Sequence, residues 1–208
     1  MLLLSFKIYR VLFLKKACCL FIFSFIFSNT FAQNVAAING KSISTKEFLW
    51  AYKKSHNGNL SADFDNLQRY LNLYINFKLK VLDARELGLD KNQIYQEEVK
   101  NYETALANHK KANVIPKDQN YLLNEYKEGV LMFNVSEQKI WNKAQDDEQA
   151  LINFYKENQQ NYHKPLSEIR GQVIADYQLS LEERWLNELR KKHQIRINES
   201  ELKKIAKQ

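Results

Sequence analysis

Along residues 167–198 (SEIRGQVIADYQLSLEERWLNELRKKHQIRIN), Val173, Ile174, Tyr177, Leu181, Trp185, Leu186 and Leu189 recur at helical spacing, which predicts a long helix with one buried stripe. Arg190, Lys191, Lys192 and His193 close it with basic side chains that suit the negative end of the helix dipole. Gln194-Ile195-Arg196-Ile197-Asn198 then alternates polar and apolar, the period of a half-buried strand. A second strand signal lies far upstream. Asn34 to Ile38 is a short apolar run, Asn39-Gly40 is the strongest two-residue hairpin signal, and Lys41-Ser42-Ile43 returns. Pairing 194–198 with the hairpin at 34–43 joins the two ends and makes everything between them a helical insertion. The alternative is an extended tail. In the paired arrangement Ile195 and Ile197 are expected on one buried face, against Val35 to Ile38 or its hairpin mate.

Between the strands the pattern is helical. Ser44 with Glu47 forms a capping box opening a helix through Phe48, Leu49, Trp50 and Tyr52, which His56-Asn57-Gly58-Asn59 breaks. Ser61 is the expected cap of a helix to about Leu87, with Phe64, Leu67, Tyr70, Leu71, Tyr74, Phe77, Val81 and Ala84 on one side. Gly88 ends it, and Asp90 with Gln93 is expected to cap a third helix to about His109. Residues 110–118 (KKANVIPKD) read as a linker around Pro116. A fourth helix is expected over 119–133. Ser136 is expected to cap a short one, Asp146 or Asp147 another, and Asn198 with Glu201 a final turn or two over 199–207. The fold class is therefore mainly α, with a small β-sheet made by the N-terminal hairpin and the C-terminal strand.

The first 32 residues read as a secretory signal. Lys7, Arg10, Lys15 and Lys16 form a basic start without acids, residues 17–27 (ACCLFIFSFIF) an apolar run too short to span a bilayer, and Ala32-Gln33 a cleavage site. A retained anchor is the alternative. Cleavage removes Cys18 and Cys19, the only two cysteines, so the mature 176 residues hold no disulfide, thiol nucleophile or cysteine metal ligand. It also lowers the net charge from +7 to +3, because four of the 31 basic residues and none of the 24 acids leave. That weakens any case for nucleic-acid binding. The domain reading is a signal at 1–32, an N-terminal helical region at 33–113, and a C-terminal helical region at 114–208 that closes back onto the hairpin.

No catalytic constellation emerges. His56, His109, His163 and His193 are scattered over breaks and helix ends, and His163 has no spacing that ties it to Asp146 or Asp147. Acids at 146–148 are ordinary capping chemistry. Glycine-rich phosphate loops, G-x-S-x-G and H-E-x-x-H do not occur. No catalytic residue, metal ligand or cofactor is expected.

Four stretches resemble a known family. VAAINGKSISTKEF followed by YLNLYINFKLKVLDARELGL is similar to the N-terminal region of SurA-type periplasmic chaperones, and especially to parvulin-class envelope peptidyl-prolyl isomerases of Bacteroidetes. LLNEYKEGVLMFNVSEQKIWNKAQDDEQALINFYKENQQNYH and IRGQVIADYQLSLEERWLNELRKKHQIRIN resemble their C-terminal portions. In that family parvulin domains of about a hundred residues separate these regions, whereas here only residues 110–120 do. The resemblance implies the chaperone module without the isomerase module: a periplasmic holdase for unfolded or nascent outer-membrane or secreted polypeptides, with no nucleic acid and no stable membrane insertion after cleavage. A peptidyl-prolyl isomerase and a dedicated envelope scaffold remain the alternatives. Rings that pair apolar area with a polar handle suit adaptable peptide binding. Trp50, Tyr52, Tyr70, Tyr74, Phe77, Trp141, Phe154 and Tyr155 are the client-binding candidates, with simple core packing the competing expectation for each.

Overall fold

The computed structural model describes residues 34–58, 63–111 and 118–207, the side chains of 109–111 excepted. The signal segment, the Ser61 cap and most of the 110–118 linker lie outside the described residues. The chain opens with β1 (Asn34–Ile38) and β2 (Lys41–Ser44), followed by α1 (Thr45–Ser55) and the long α2 (Phe64–Glu86). A 3-10 turn (Leu89–Lys91) leads to α3 (Gln93–Lys111), then α4 (Gln119–Ser136). A π-helical turn (Glu137–Trp141) joins α4 to α5 (Asn142–Asp146), and α6 (Glu148–Glu157) follows. Last come α7 (Leu166–Lys192), β3 (Ile195–Ile197) and α8 (Glu199–Ile205).

The strands form one antiparallel sheet in the order β2-β1-β3. Asn39 and Gly40 both have positive φ, 50° and 81°, as the tight hairpin turn requires. The C-terminal strand pairs with β1 in the register Ala36↔Ile197, Ala37↔Arg196 and Ile38↔Ile195. Asn198 extends the ladder by donating its N–H to the Val35 carbonyl at 2.8 Å. The expected shared burial of Ile195 and Ile197 holds only for the first. Ile195 packs against the core, but Ile197 is 39% exposed. β3 is an edge strand with a neighbour on one side only, and its outer end is left uncovered.

Helix α2 runs through the centre and packs along both α4 and α7. Leu67, Leu71, Ile75 and Leu79, each four residues after the last, are buried together with Leu131 and Val135 of α4 and Val173, Tyr177, Leu181, Trp185 and Leu189 of α7. Val35, Ile38, Ile43 and Phe48 join them from the sheet and α1, and Leu202 from α8. The single apolar side expected for α2 is in fact two. Tyr70, Tyr74 and Phe77 form a separate, half-buried stripe at spacings of four and three. Ile75 and Leu79 fill the core where these rings were expected.

Local capping follows the sequence where the capping group is adjacent in the chain. Ser44 accepts from the Glu47 N–H at 3.1 Å, Asp147 from Ala150 at 3.0 Å, and Asn198 from Glu201 at 3.2 Å. Gly88, at φ 74°, ends α2. Three expectations need correction. Asp63 caps α2, its carboxylate accepting from Asn66 N–H at 2.7 Å. Asn92, not Asp90, caps α3 by accepting from Ile94 at 2.8 Å, because residues 89–91 are taken up by the 3-10 turn. Ser136 caps nothing: it is buried inside a run that continues from α4 through the π turn, and its hydroxyl faces the Met132 sulfur at 3.6 Å.

That π turn sets a buried polar junction. It aims Lys139 at Asp83 of α2, and the same Asp83 carboxylate accepts from the Trp185 indole N–H of α7 at 2.9 Å. Lys139 and Lys80 flank the Trp185 ring at 5.4 and 5.5 Å. A buried carboxylate is tolerable only when it is hydrogen-bonded and paired, and here its Oδ2 accepts from both partners.

Candidate functional site

The aromatic stripe of α2 forms the floor of an open cavity of about 520 Å³ between α1, α2 and α4. Trp50 comes from α1 and stacks on Tyr121 of α4, with ring centres 5.4 Å apart. Tyr70, Tyr74 and Phe77 follow one another along the floor at 6.4 and 6.0 Å. Leu73, 65% exposed, stands on the rim. A smaller lobe of about 60 Å³, walled by Ile38, Ser42, Ile43 and Leu82, adjoins the trough and shares Lys41, Glu47, Lys78 and Glu128 with it.

The polar wall is self-contained. Lys78 bridges Glu47 at 2.7 Å and Glu128 at 2.5 Å, and its ammonium lies 5.1 Å from the Tyr74 ring centre. Arg85 reaches Glu128 at 3.3 Å, and Lys54 pairs with Glu125 at the α1 rim. The Tyr74 hydroxyl donates to Glu47 at 2.8 Å. Burial pushes this phenol well above the ordinary tyrosine range, and the Glu47 charge pushes it further, so it stays a neutral donor. Burial raises Tyr70 as well. Among the described residues, Lys41 is the lining cation without an ion-pair partner. Among the described residues that line the trough there is no histidine or cysteine, and its carboxylates are engaged by cations. Such a surface can hold apolar and aromatic groups over ring faces; it has no paired nucleophile and base.

One further element borders the trough. Strand β2 is an edge of the sheet. Ile38↔Lys41 is the hydrogen-bonded pair closing the turn, so the backbone N–H and C=O of Ser42, a residue that lines the smaller lobe, point away from β1.

Four of the eight sequence candidates, Trp50, Tyr70, Tyr74 and Phe77, therefore meet in one cavity. The other four lie elsewhere. Tyr52 is 3% exposed and stacks on His56 at 4.0 Å and edge-on to Tyr70 at 5.1 Å, behind the trough wall. Trp141 packs edge-on against Phe133 at 4.8 Å, and Phe154 against Tyr177 at 4.9 Å. Tyr155 stacks on Tyr162 at 5.5 Å and donates its hydroxyl to the Lys164 carbonyl at 3.0 Å. Sequence reasoning missed Tyr121, Lys78, Glu128 and Gly129. Gly129 alone carried a signal, a glycine inside a helix-forming run where alanine would be about 1 kcal/mol better.

Comparison of the chain with protein-family models, curated proteins and solved structures finds no match. Among the described residues, no helix is long and apolar enough to cross a membrane, and no group of three or more His, Cys, Asp or Glu side chains could hold a metal.

Proposed function

We propose that this chain is an exported, SurA-like holdase of the periplasm that takes up extended segments of unfolded envelope polypeptides in the α1–α2–α4 trough, without catalysis. The observation that carries this reading is the Tyr70, Tyr74 and Phe77 stripe, which lies on the open face of the central helix while aliphatic residues of the same helix fill the core. Rings held half-bare beside one another offer a client apolar area at little entropic cost. The Ser42 amide and carbonyl, which have no ladder partner among the described residues, supply the hydrogen bonds an extended backbone needs. The resemblance of the terminal regions to SurA-type chaperones supports the same reading.

The test is aggregation of a urea-unfolded porin on dilution, followed by light scattering without ATP. Stoichiometric amounts of the chain lacking residues 1–32 are expected to suppress it, and Trp50→Ala combined with Tyr74→Ala to lose most of the effect. Failure of the unaltered protein at stoichiometric excess overturns the proposal.

A further inference from the structure

Gly129 lies on the outward crest of α4, opposite buried Leu131 and Val135. On one side of it Tyr121, Asn124, Glu125 and Glu128 face the trough. On the other, Tyr126, Val130, Phe133 and Asn134 line a second, shallower cleft of about 460 Å³ with Glu98 of α3, and Gly129 lines both. The second cleft is also aromatic. Tyr126 stacks on Tyr102 at 3.8 Å, Phe133 is 51% exposed, and Trp141 stands edge-on beside it.

No packing reason accounts for the glycine. A Cβ at position 129 would meet nothing within 4 Å, and the backbone there is not in the left-handed region. A helix interior is where glycine is least favoured among ordinary residues. Its one structural effect is to lower the ridge between two aromatic clefts.

Resting on the holdase reading above, we propose that Gly129 is the saddle over which a bound polypeptide crosses α4, so that one extended segment occupies the trough and the Tyr126–Phe133 cleft together. The occupant is extended and poor in cationic side chains. The acids lining both clefts are already engaged within the chain: Glu47 and Glu128 by Lys78, Glu125 by Lys54, and Glu98 by the Tyr126 hydroxyl at 2.9 Å. The Ser42 edge of the adjoining lobe, unpaired among the described residues, suits an extended backbone rather than a helix. A helix with its side chains is about 10–12 Å across, which an extended chain clears with roughly three or four residues.

The test uses two fluorescent peptides of alternating tyrosine and serine, five and twelve residues long, binding to the purified protein by anisotropy. Five residues fill the trough only; twelve reach across α4. Gly129→Leu is expected to weaken the twelve-residue peptide about tenfold and the five-residue peptide, which meets only the trough side of position 129, far less. Gly129→Ala is expected to weaken it less and to raise the Tm by about 2–4 °C, the size of shift that filling a helical glycine gives in a chain this long. That opposed pair, more stable yet weaker binding, separates a binding role from a merely structural one. If both peptides bind and Gly129→Leu changes neither, the crossing is overturned and the holdase reading stands. If the unaltered protein binds neither peptide, both fall.

Discussion

The side chains of Asn39 and His193, 154 residues apart, meet at 2.8 Å, amide Nδ2 against ring Nδ1. The Asn39 Oδ1 atom accepts the Gln194 backbone N–H at 2.9 Å, which fixes the amide so that Nδ2 donates to the ring. His193 Nδ1 is therefore an acceptor, and the neutral ring carries its proton on Nε2, which is buried without a hydrogen-bond partner and 4.0 Å from Glu86 Oε1. Nitrogen NMR checks this. The Nδ1 resonance is expected in the unprotonated range, and a protonated Nδ1 contradicts the arrangement. Asn39→Ala loses both hydrogen bonds and the residue suited to positive φ, and is expected to cost about 2 kcal/mol by urea unfolding.

Asp83 ties three elements through one carboxylate. Asp83→Ala leaves the Trp185 N–H buried without an acceptor and Lys139 without its counter-ion. A loss of about 2–3 kcal/mol is expected, together with an altered Trp185 emission in the folded protein. A destabilisation below about 0.5 kcal/mol, the scatter of surface substitutions, contradicts the role given to this junction.

Much of this was legible in the sequence where the deciding interaction is local. The hairpin, the Ser44 and Asp147 caps and the Gly88 stop are set by residues a few positions apart. The strand pairing was legible because the period-two segment at 194–198 had one obvious partner, the hairpin at 34–43. The faces of α2 were not legible: Leu67, Leu71, Ile75 and Leu79 compete with Tyr70, Tyr74 and Phe77 for the inward side, and only the neighbouring helices decide. Nor was the burial of His193, which depends on a turn formed at the other end of the chain. Ser136 misled because serine is favoured at caps, yet here the π turn carries the helix past it.

Alkaline pH exposes another consequence of burial. Tyr162 is pushed up to about 12 by burial first and then by its hydrogen bond to Asp176. A tyrosine raised in the folded state contributes fully below its unfolded value near 10, and the contribution is lost as pH rises from about 10 to about 12. Above 10 the unfolded chain binds fewer protons than the folded one, so stability falls with rising pH. Tyr162→Phe is expected to flatten the decline in Tm over that interval. Tyrosinate absorbance of the folded protein should also lag that of the urea-unfolded chain, since Tyr70, Tyr74, Tyr95 and Tyr126 are raised too, each by burial first.

The two isoleucines of β3 are expected to behave differently. Ile197→Lys places a charge on an exposed edge position, which discourages edge-to-edge pairing, and should change stability by no more than about 1 kcal/mol. Ile195→Lys strips an apolar side chain from the core and should cost more, about 2 kcal/mol. Equal effects in thermal unfolding would mean that both lie on one buried face after all.

The pairing of β1 with β3 also fixes an order of events during synthesis. Val35, Ala36, Ala37 and Ile38 are buried on both faces of the finished sheet, but one flank of β1 waits for residues 195–197. Closing so long a loop costs about 2 kcal/mol more than closing one of ten residues. A chain whose residues 195–197 are still inside the ribosome has no β3 to offer. That flank of β1 therefore stays open until residues 195–197 have emerged, and the three-stranded sheet locks only then.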